Sequence, residues 1–175
     1  MKTLLLLRHA KSSWDDPQLA DFDRPLARRG VETARTMGSF MRERGWLPAK
    51  ALVSGALRTR DTWRLVSADW KPAAPPVEIS RAIYEAPPAT ILAAIRGADP
   101  GIDSLLVLGH NPGLEYLAKQ LASADSAREP LRALGRKFPT AALARFEFDG
   151  SWTDLGPASA RLTDFVRPKD LLGDG

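Results

Sequence analysis

The chain contains two histidines, and each directly follows a short apolar run. His9 ends the segment TLLLLRH and His110 ends SLLVLGH. Short runs of this kind, closed by polar residues or glycine, are typical of buried strands in a parallel sheet. Ligands bind beyond the carboxyl ends of such strands, so we expect both imidazoles at one functional edge. One such histidine alone would suit a surface or helix-cap position, but the repetition favours a site.

Two arginines stand in a similar context. Arg8 precedes His9, and Arg58 opens a predicted helix after the strand that ends at Ser54, in SGALRTRDT. The planar guanidinium matches phosphate oxygens, and the amides at a helix start add donors for the same anion. Arg58 taken alone could equally be an exposed helix residue. With the two histidines, however, the arginines predict an anion site.

Four segments resemble the histidine phosphatase superfamily, which includes the cofactor-dependent phosphoglycerate mutases. In chain order they are RHA, which is similar to the RHG signature of that family, DRPLARRG, SGALRTRDT and GHNPG. Within the superfamily, LLLRHAKSSW, DFDRPLARRG, LGHNPGLEYLA and KFPTAAL look most like the small SixA-type phosphohistidine phosphatases. This resemblance covers nearly the whole chain.

The resemblance implies that His9 is the nucleophile and that Arg8, Arg58 and His110 bind the phosphoryl group. The chemistry of the residues agrees with this. A neutral imidazole with a pKa near ~6.5 is a competent nucleophile when one ring nitrogen is held by a hydrogen bond. Cations around the phosphoryl oxygens stabilise the charge that spreads over them. With Arg8, Arg58 and a protonated His110 around the anion, we expect no metal and no cofactor, and water then hydrolyses phosphorylated His9.

The sequence departs from the family pattern at two positions. Ala10 replaces the glycine after the histidine, which is tolerated if the backbone there does not need a positive φ. Ala27 stands where mutase-like members have a threonine that caps the first helix, so we expect the cap from another residue such as Asp23. The mutase-like members have a glutamate in a segment similar to RAIYEAPP, which makes Glu85 the candidate general acid. Glu85 could equally be a solvated residue before a turn.

Composition limits the remaining possibilities. With no cysteine and only two histidines, the chain has few good ligands for a transition metal, so we expect no such site. The net charge of +4 comes from basic residues scattered among acidic ones, and it indicates phosphate-like partners without choosing among them. We expect a phosphorylated substrate and no nucleic acid. No apolar stretch approaches the ~20 residues that span a bilayer. We expect a cytoplasmic monomer that contacts no membrane.

The pattern of elements predicts a three-layer α/β/α sandwich around a mostly parallel sheet, with one domain over residues 1–167 and a frayed tail over 168–175. Strands are predicted at Thr3–Leu7, Ala51–Val53, Val77–Ser80, Ser104–Leu108, Ala142–Phe148 and Ala160–Val166. Helices are predicted at Leu26–Arg44, Leu57–Ala68, Pro88–Arg96 and after His110, where Asn111 would be the N-cap and Pro112 the first helical residue. Trp14–Pro25 and Ser123–Lys137 are expected to be irregular.

Two readings compete with a phosphatase. A mutase would need a larger lid than this chain supplies, whereas a phosphate- or nucleic-acid-binding module could use the same cationic pocket without turnover. Lys11 and Ser12 could touch substrate or form a plain surface loop. The sequence leaves open whether the substrate is a phosphohistidine protein, a small phosphorylated metabolite or a phosphopeptide, and it gives no physical role to the Lys137–Thr140 segment.

Overall fold

Six strands form one central sheet in the computed structural model, which describes residues 1–172. The strands are β1 (Lys2–Arg8), β2 (Lys50–Ser54), β3 (Val77–Ser80), β4 (Ser104–Gly109), β5 (Leu143–Phe148) and β6 (Arg161–Val166). Their order across the sheet is β3-β2-β4-β1-β5-β6. The first four of these pair in parallel, and β5 and β6 add an antiparallel edge. The mostly parallel sheet predicted from the sequence is therefore confirmed.

The centre of the sheet is β1, whose residues Leu4 to Leu7 are almost completely buried. A strand covered on both faces must be apolar at every position, which is why this run does not alternate with polar residues. β1 pairs with β4 so that Arg8 lies opposite Gly109. The next residues, His9 and His110, consequently leave the sheet side by side.

Helices cover both faces of the sheet. They are α1 (Arg28–Arg44), α2 (Leu57–Val66), α3 (Pro88–Arg96), α4 (Gly113–Leu121), α5 (Arg128–Arg136) and α6 (Pro168–Leu171). One core cluster joins Leu5 and Leu7 of β1 to α1 and α2, with Leu171 of α6 packed against it. A second cluster joins Leu4 and Leu6 to α3, α4 and α5. These two cores on opposite faces confirm the three-layer sandwich.

Several sequence predictions are wrong in detail. Residues 123–137 are not irregular throughout, because α5 occupies Arg128–Arg136 and buries Leu134. The tail is not frayed from Pro168, since α6 forms there; residues 173–175 lie outside the described part of the chain. α1 begins two residues later than predicted and α2 ends two residues earlier. No helix within residues 1–172 is long and apolar enough to cross a membrane.

The starts of α1 and α4 also differ from the predictions. Ala27 is the N-cap residue of α1, and no side chain caps this helix, so Asp23 does not supply the expected cap. Pro112 is the N-cap residue of α4 and Gly113 its first helical residue, one position later than predicted. The Asn111 side chain instead donates a hydrogen bond to the Phe138 carbonyl, at 2.9 Å. Asn111 therefore connects the start of α4 to the loop before β5.

Candidate active site

A cavity of about 400 Å³ opens at the carboxyl ends of β1, β2 and β4. All five residues predicted for the site line it: Arg8, His9, Arg58, Glu85 and His110. The lining also includes Lys11, Ser12, Trp14, Asp21, Arg24, Asn111 and Thr140. The fold thus brings together segments that are more than 100 residues apart in the sequence.

His9 is buried at the base of this cavity and has a defined tautomer. Its Nδ1 lies 2.7 Å from the carbonyl oxygen of Ala10. A carbonyl only accepts hydrogen bonds, so Nδ1 carries the proton and Nε2 keeps its lone pair. No residue between 1 and 172 makes a hydrogen bond to Nε2. His9 therefore has the form of a nucleophile: one ring nitrogen fixed and the other free.

Ala10 holds this arrangement through its backbone. Its amide donates to the Thr62 hydroxyl at 3.0 Å, and that hydroxyl donates to the Arg58 carbonyl at 2.7 Å. Ala10 does not have a positive φ, so alanine is compatible with this position. The departure from the glycine of the family signature leaves the geometry intact.

His110 is held between Arg58 and Ser54. Arg58 Nη2 lies 3.3 Å from His110 Nδ1, and His110 Nε2 lies 2.7 Å from Ser54 Oγ. A guanidinium can only donate, so Nδ1 accepts and the Nε2 proton is donated to Ser54. The two histidine rings are 5.3 Å apart between centroids. In this state His110 is a neutral imidazole.

Burial dominates the ionisation of both histidines. The pKa of His9 is lowered to about 4, mainly by burial and in the same direction by the positive charges of Arg8, Arg58 and Arg24, whereas the hydrogen bond to Ala10 acts against this shift. Burial also lowers the pKa of His110 to about 3, with His9 and Arg58 acting in the same direction. The expected protonated His110 is therefore not found in the free protein, because desolvation and neighbouring cations disfavour its charged form.

Arg8 and Arg58 are fixed by different partners. Arg8 Nη1 donates to the Phe138 carbonyl at 3.0 Å, and Arg58 Nη1 donates to the Asp21 carbonyl at 2.7 Å. Among the described residues, the buried Nε groups of both arginines have no hydrogen-bond partner. Leaving such donors unpaired is costly. Both arginines line the cavity, so an anion there would meet two guanidinium groups.

The Lys137–Thr140 segment thereby gains a structural role. The Phe138 carbonyl accepts hydrogen bonds from both Arg8 and Asn111, and the Phe138 amide donates to Glu115 Oε1 at 2.7 Å. The buried Phe138 side chain anchors this loop in the core. The backbone of Phe138 therefore positions Arg8, and the Lys137 side chain takes no part in these contacts.

Asp21 is a site residue that the sequence analysis missed. Its Oδ2 accepts from Arg58 Nη2 at 3.0 Å and from the Tyr84 hydroxyl. Burial raises the pKa of Asp21, but the hydrogen bonds from Tyr84 and Arg58 outweigh that effect and hold the pKa below its ordinary value. Asp21 lies in a loop expected to be irregular, and only its place in the DFDRPLARRG segment could have marked it.

Glu85 pairs with Arg58 in the cavity. Its Oε1 accepts from Arg58 Nη2 at 3.2 Å, and its side chain is 55% exposed. Arg58 Nη2 thus faces Asp21, Glu85 and His110, although it carries only two protons. A phosphoryl oxygen that binds Arg58 would compete with these acceptors.

Trp14 stands at the mouth of the cavity and is 75% exposed. The guanidinium of Arg24 lies 3.4 Å from the centre of its ring. Arg24 is itself buried and donates to Asp21 Oδ1 at 3.2 Å and to the Ser13 carbonyl at 3.3 Å. This stacking gives an otherwise exposed aromatic side chain a fixed position beside the site.

A sequence profile of the histidine phosphatase superfamily (branch 1) matches residues 4–86. An uncharacterized protein of Mycobacterium tuberculosis, strain H37Rv, is 35% identical over 166 residues, which cover 93% of this chain and the whole of that protein. The chain belongs to the histidine phosphatase superfamily. An uncharacterized chloroplast protein of Arabidopsis thaliana is 46% identical over 67 residues, but this stretch spans only 31% of that protein.

Solved structures of SixA proteins are similar to this histidine phosphatase. SixA from Nakamurella multipartitia is 29% identical with a TM-score of 0.81, covering 95% of this chain and 96% of that one. SixA from Agrobacterium tumefaciens is 28% identical with a TM-score of 0.80, covering 95% of this chain and 98% of that one. The protein is a phosphatase of the histidine-nucleophile class with the SixA fold.

Proposed function

We propose that the protein removes phosphoryl groups from phosphohistidine in proteins, or from small phosphomonoesters, without a metal and through a covalent intermediate on His9. One observation carries the proposal. The free Nε2 of His9 shares a cavity with two arginines whose buried Nε donors are unpaired among the described residues. A nucleophile and unsatisfied cationic donors around one space are what phosphoryl transfer requires.

The first step uses the lone pair of His9 Nε2. It forms a bond to phosphorus while the bond from phosphorus to the leaving nitrogen or oxygen breaks, and the leaving atom keeps that electron pair. Arg8 and Arg58 stabilise the negative charge on the transferring oxygens, where removal of one such donor typically slows turnover by about 10² to 10³. The Nδ1 hydrogen bond to Ala10 stabilises the positive charge that develops on the His9 ring.

The second step returns His9 to its starting form. Water attacks phosphorus, the bond between phosphorus and Nε2 breaks, and inorganic phosphate leaves while the water proton passes to the phosphate or to solvent. The phosphoryl dianion beside His110 favours the charged form of that imidazole, which opposes the lowering of its pKa in the free protein. His110 thus becomes a stronger hydrogen-bond donor once the substrate is bound.

Glu85 is the proposed general acid when the leaving group is an alkoxide. A phosphoryl group that replaces Glu85 on Arg58 would free the carboxyl group, which lines the same cavity. A phosphohistidine substrate leaves as an imidazole, a weaker base than an alkoxide, and needs less assistance. The role of Glu85 should therefore depend on the substrate.

The similarity to SixA proteins supports phosphohistidine as the substrate. A SixA solved with tungstate is a protein histidine phosphatase, and it shares this fold with a TM-score of 0.73 at 21% identity. The cavity is partly open to solvent, which suits a phosphorylated side chain presented by a protein. No group of three or more His, Cys, Asp or Glu side chains within residues 1–172 could hold a metal ion.

The test is to trap the intermediate. The wild-type enzyme should carry a labelled phosphoryl group on His9 after quenching without acid, and peptide mapping should find it acid-labile and base-stable. His9→Ala should lose turnover and label but still bind phosphate through Arg8, Arg58 and His110. If His9→Ala retains most of its turnover and no label appears on His9, the covalent mechanism is wrong.

A matched pair of variants tests the phosphate site. Arg58→Ala should weaken phosphate binding and slow turnover together, because its guanidinium contacts the phosphoryl group before and during transfer. Arg60→Ala is the control: Arg60 lies in the same helix but is exposed, lies outside the cavity lining and donates to the Gly55 carbonyl. Equal losses in the two variants would remove Arg58 from the proposed role.

A further inference from the structure

A second cavity, of about 470 Å³, lies next to the active site and is lined by basic residues. We call it the basic groove, and its charged members are Lys11, Arg29, Lys137, Arg167 and Lys169. Lys11 and Thr140 line both the basic groove and the active-site cavity. The two cavities are therefore adjacent and share these two residues as a common wall.

The groove concentrates the positive charge of the protein. It holds five basic side chains, whereas the whole chain has a net charge of +4, so the remainder sums to one negative charge. Arg167 is paired with Asp170 at 2.8 Å. The other four make no ion pair within residues 1–172, and all four are exposed. Such a concentration attracts an anionic partner.

The stability of the fold does not explain this cluster. Arg29 lies in the first turn of α1, which contains no acidic residue and has no side-chain cap. The partial positive charge at a helix N-terminus favours acidic side chains there, so an arginine at this position is unfavourable by itself. Neighbouring lysines add repulsion between like charges. A bound anionic group would relieve both effects.

The charge around the active site is unequal on its two sides. Asp21 and Glu85 line the active-site cavity, whereas no acidic residue lines the basic groove. A nucleic acid or polyphosphate chain that crossed both spaces would meet these carboxylates. A protein substrate with acidic residues on only one side of its phosphohistidine would place them in the basic groove and away from Asp21 and Glu85. It therefore fits this unequal charge distribution better than a nucleic acid does. The exposed lysines, with no buried donor among them, also suit an extended protein contact more than a fixed small ligand.

We propose that the basic groove docks an acidic segment of the protein substrate, beside the phosphohistidine that enters the active site. This inference rests on the proposed function, because it requires the phosphoryl group to be presented by a protein. Asp and Glu side chains next to the phosphohistidine would pair with Arg29, Lys137 and Lys169. The groove would then raise the rate of productive encounter without touching the reacting atoms.

The experiment uses three synthetic peptides that each contain one central phosphohistidine. One peptide has four glutamates before the phosphohistidine, one has four after it, and one has glutamines at all these positions. At ~50 mM salt, where exposed charges are weakly screened, the better glutamate peptide should exceed the glutamine peptide in kcat/KM by about tenfold. High salt should remove the difference.

Two triple variants distinguish an effect of the charges in the groove from an effect of the net charge of the protein. R29Q/K137Q/K169Q should lose the preference for the glutamate peptide and keep the wild-type rate on the glutamine peptide and on an aryl phosphate. R35Q/R42Q/K71Q removes the same charge from exposed residues outside the groove, and should keep the preference. Turnover of the aryl phosphate by both variants shows that each is folded.

Four results would overturn the docking site. Equal rates on all three peptides in the wild-type enzyme would refute it and leave the proposed function standing. Equal loss of preference in the two triple variants would show a global charge effect. A third result is that a single-stranded oligonucleotide inhibits the enzyme more strongly than the glutamate peptide does. If R29Q/K137Q/K169Q abolished that inhibition, the groove would be assigned to nucleic acid. Turnover of the aryl phosphate without that of any phosphohistidine peptide would refute the proposed substrate as well.

Discussion

The two buried histidines make the stability of the protein depend on pH between neutrality and pH 5. Folded His9 and His110 have pKa values of about 4 and about 3, whereas an unfolded histidine titrates near ~6.5. Below ~6.5 the unfolded state therefore binds protons that the folded state does not. Since stability rises with pH wherever the unfolded state holds more protons, acidification in this window must destabilise the fold.

The size of the effect follows from the same values. Between pH 8 and pH 5, each histidine should cost about 2 kcal/mol of the free energy of unfolding, and the pair about 4 kcal/mol. A domain of this size is typically stable by only about 5 to 15 kcal/mol. With a urea m-value of about 2 kcal/mol/M, the midpoint of unfolding should fall by about 2 M.

The assay is urea unfolding at several pH values in buffers without phosphate, because a bound anion would itself stabilise the folded state. Asp21 and Asp170 have pKa values below their ordinary ones, so their contributions are lost in more acidic solutions than this window covers. His9→Asn and His110→Asn should each remove about half of the pH dependence. The double variant should be nearly independent of pH between 8 and 5.

Two results would refute this reasoning. A wild-type midpoint that stays constant from pH 8 to pH 5 would mean that the histidines are not desolvated as the structure has them. A double variant that keeps the wild-type slope would assign the effect to other groups, because the chain has no third histidine.

Three further predictions address the active site. Activity on an aryl phosphate should persist in excess chelator, and a loss restored by Zn²⁺ or Mg²⁺ would contradict the metal-free mechanism. Glu85→Gln should slow an alkyl phosphate much more than nitrophenyl phosphate, whose phenolate leaves readily, and equal effects would remove Glu85 from the acid role. Gly113→Ala should lower the free energy of unfolding by about 1 to 3 kcal/mol and impair turnover, because its Cβ would lie 2.1 Å from the Ala86 carbonyl oxygen beside Glu85. Gly135→Ala is the control. Apart from its chain neighbours and the adjacent backbone of α5, no atom lies within 4 Å of its Cβ, so alanine should stabilise α5 by up to about 1 kcal/mol. Equal unfolding midpoints of the two variants would contradict the packing argument.

Local patterns were sufficient for much of the fold. The apolar runs of β1, β2 and β4 and the spacing of apolar residues in α1 and α3 are set by burial within each element, so they are visible in a short window of sequence. α5 was missed because it is only nine residues long and contains Pro130 and Gly135, residue types that indicate turns in a sequence. α6 is one turn long and is stabilised by contact with α1, which no local pattern contains.

The sequence by itself determined which residues meet in the candidate site. A histidine placed directly after a buried parallel strand must emerge at the carboxyl edge of the sheet, and this applies to both His9 and His110. The pairing of Arg8 with Gly109 then sets the two rings side by side. The positions of Arg8, Arg58 and Glu85 in the cavity agree with what the resemblance to the histidine phosphatases implied.

Only the tertiary structure decided the electrostatics. The neutral state of His110 depends on desolvation and on the approach of Arg58, and the partners of Arg58 include Asp21 from a loop that has no regular pattern. The basic residues are scattered along the sequence, yet the fold collects five of them in one groove beside His9. Charge and solvation act through space, so residues distant in the chain combine their effects only after folding has brought them together.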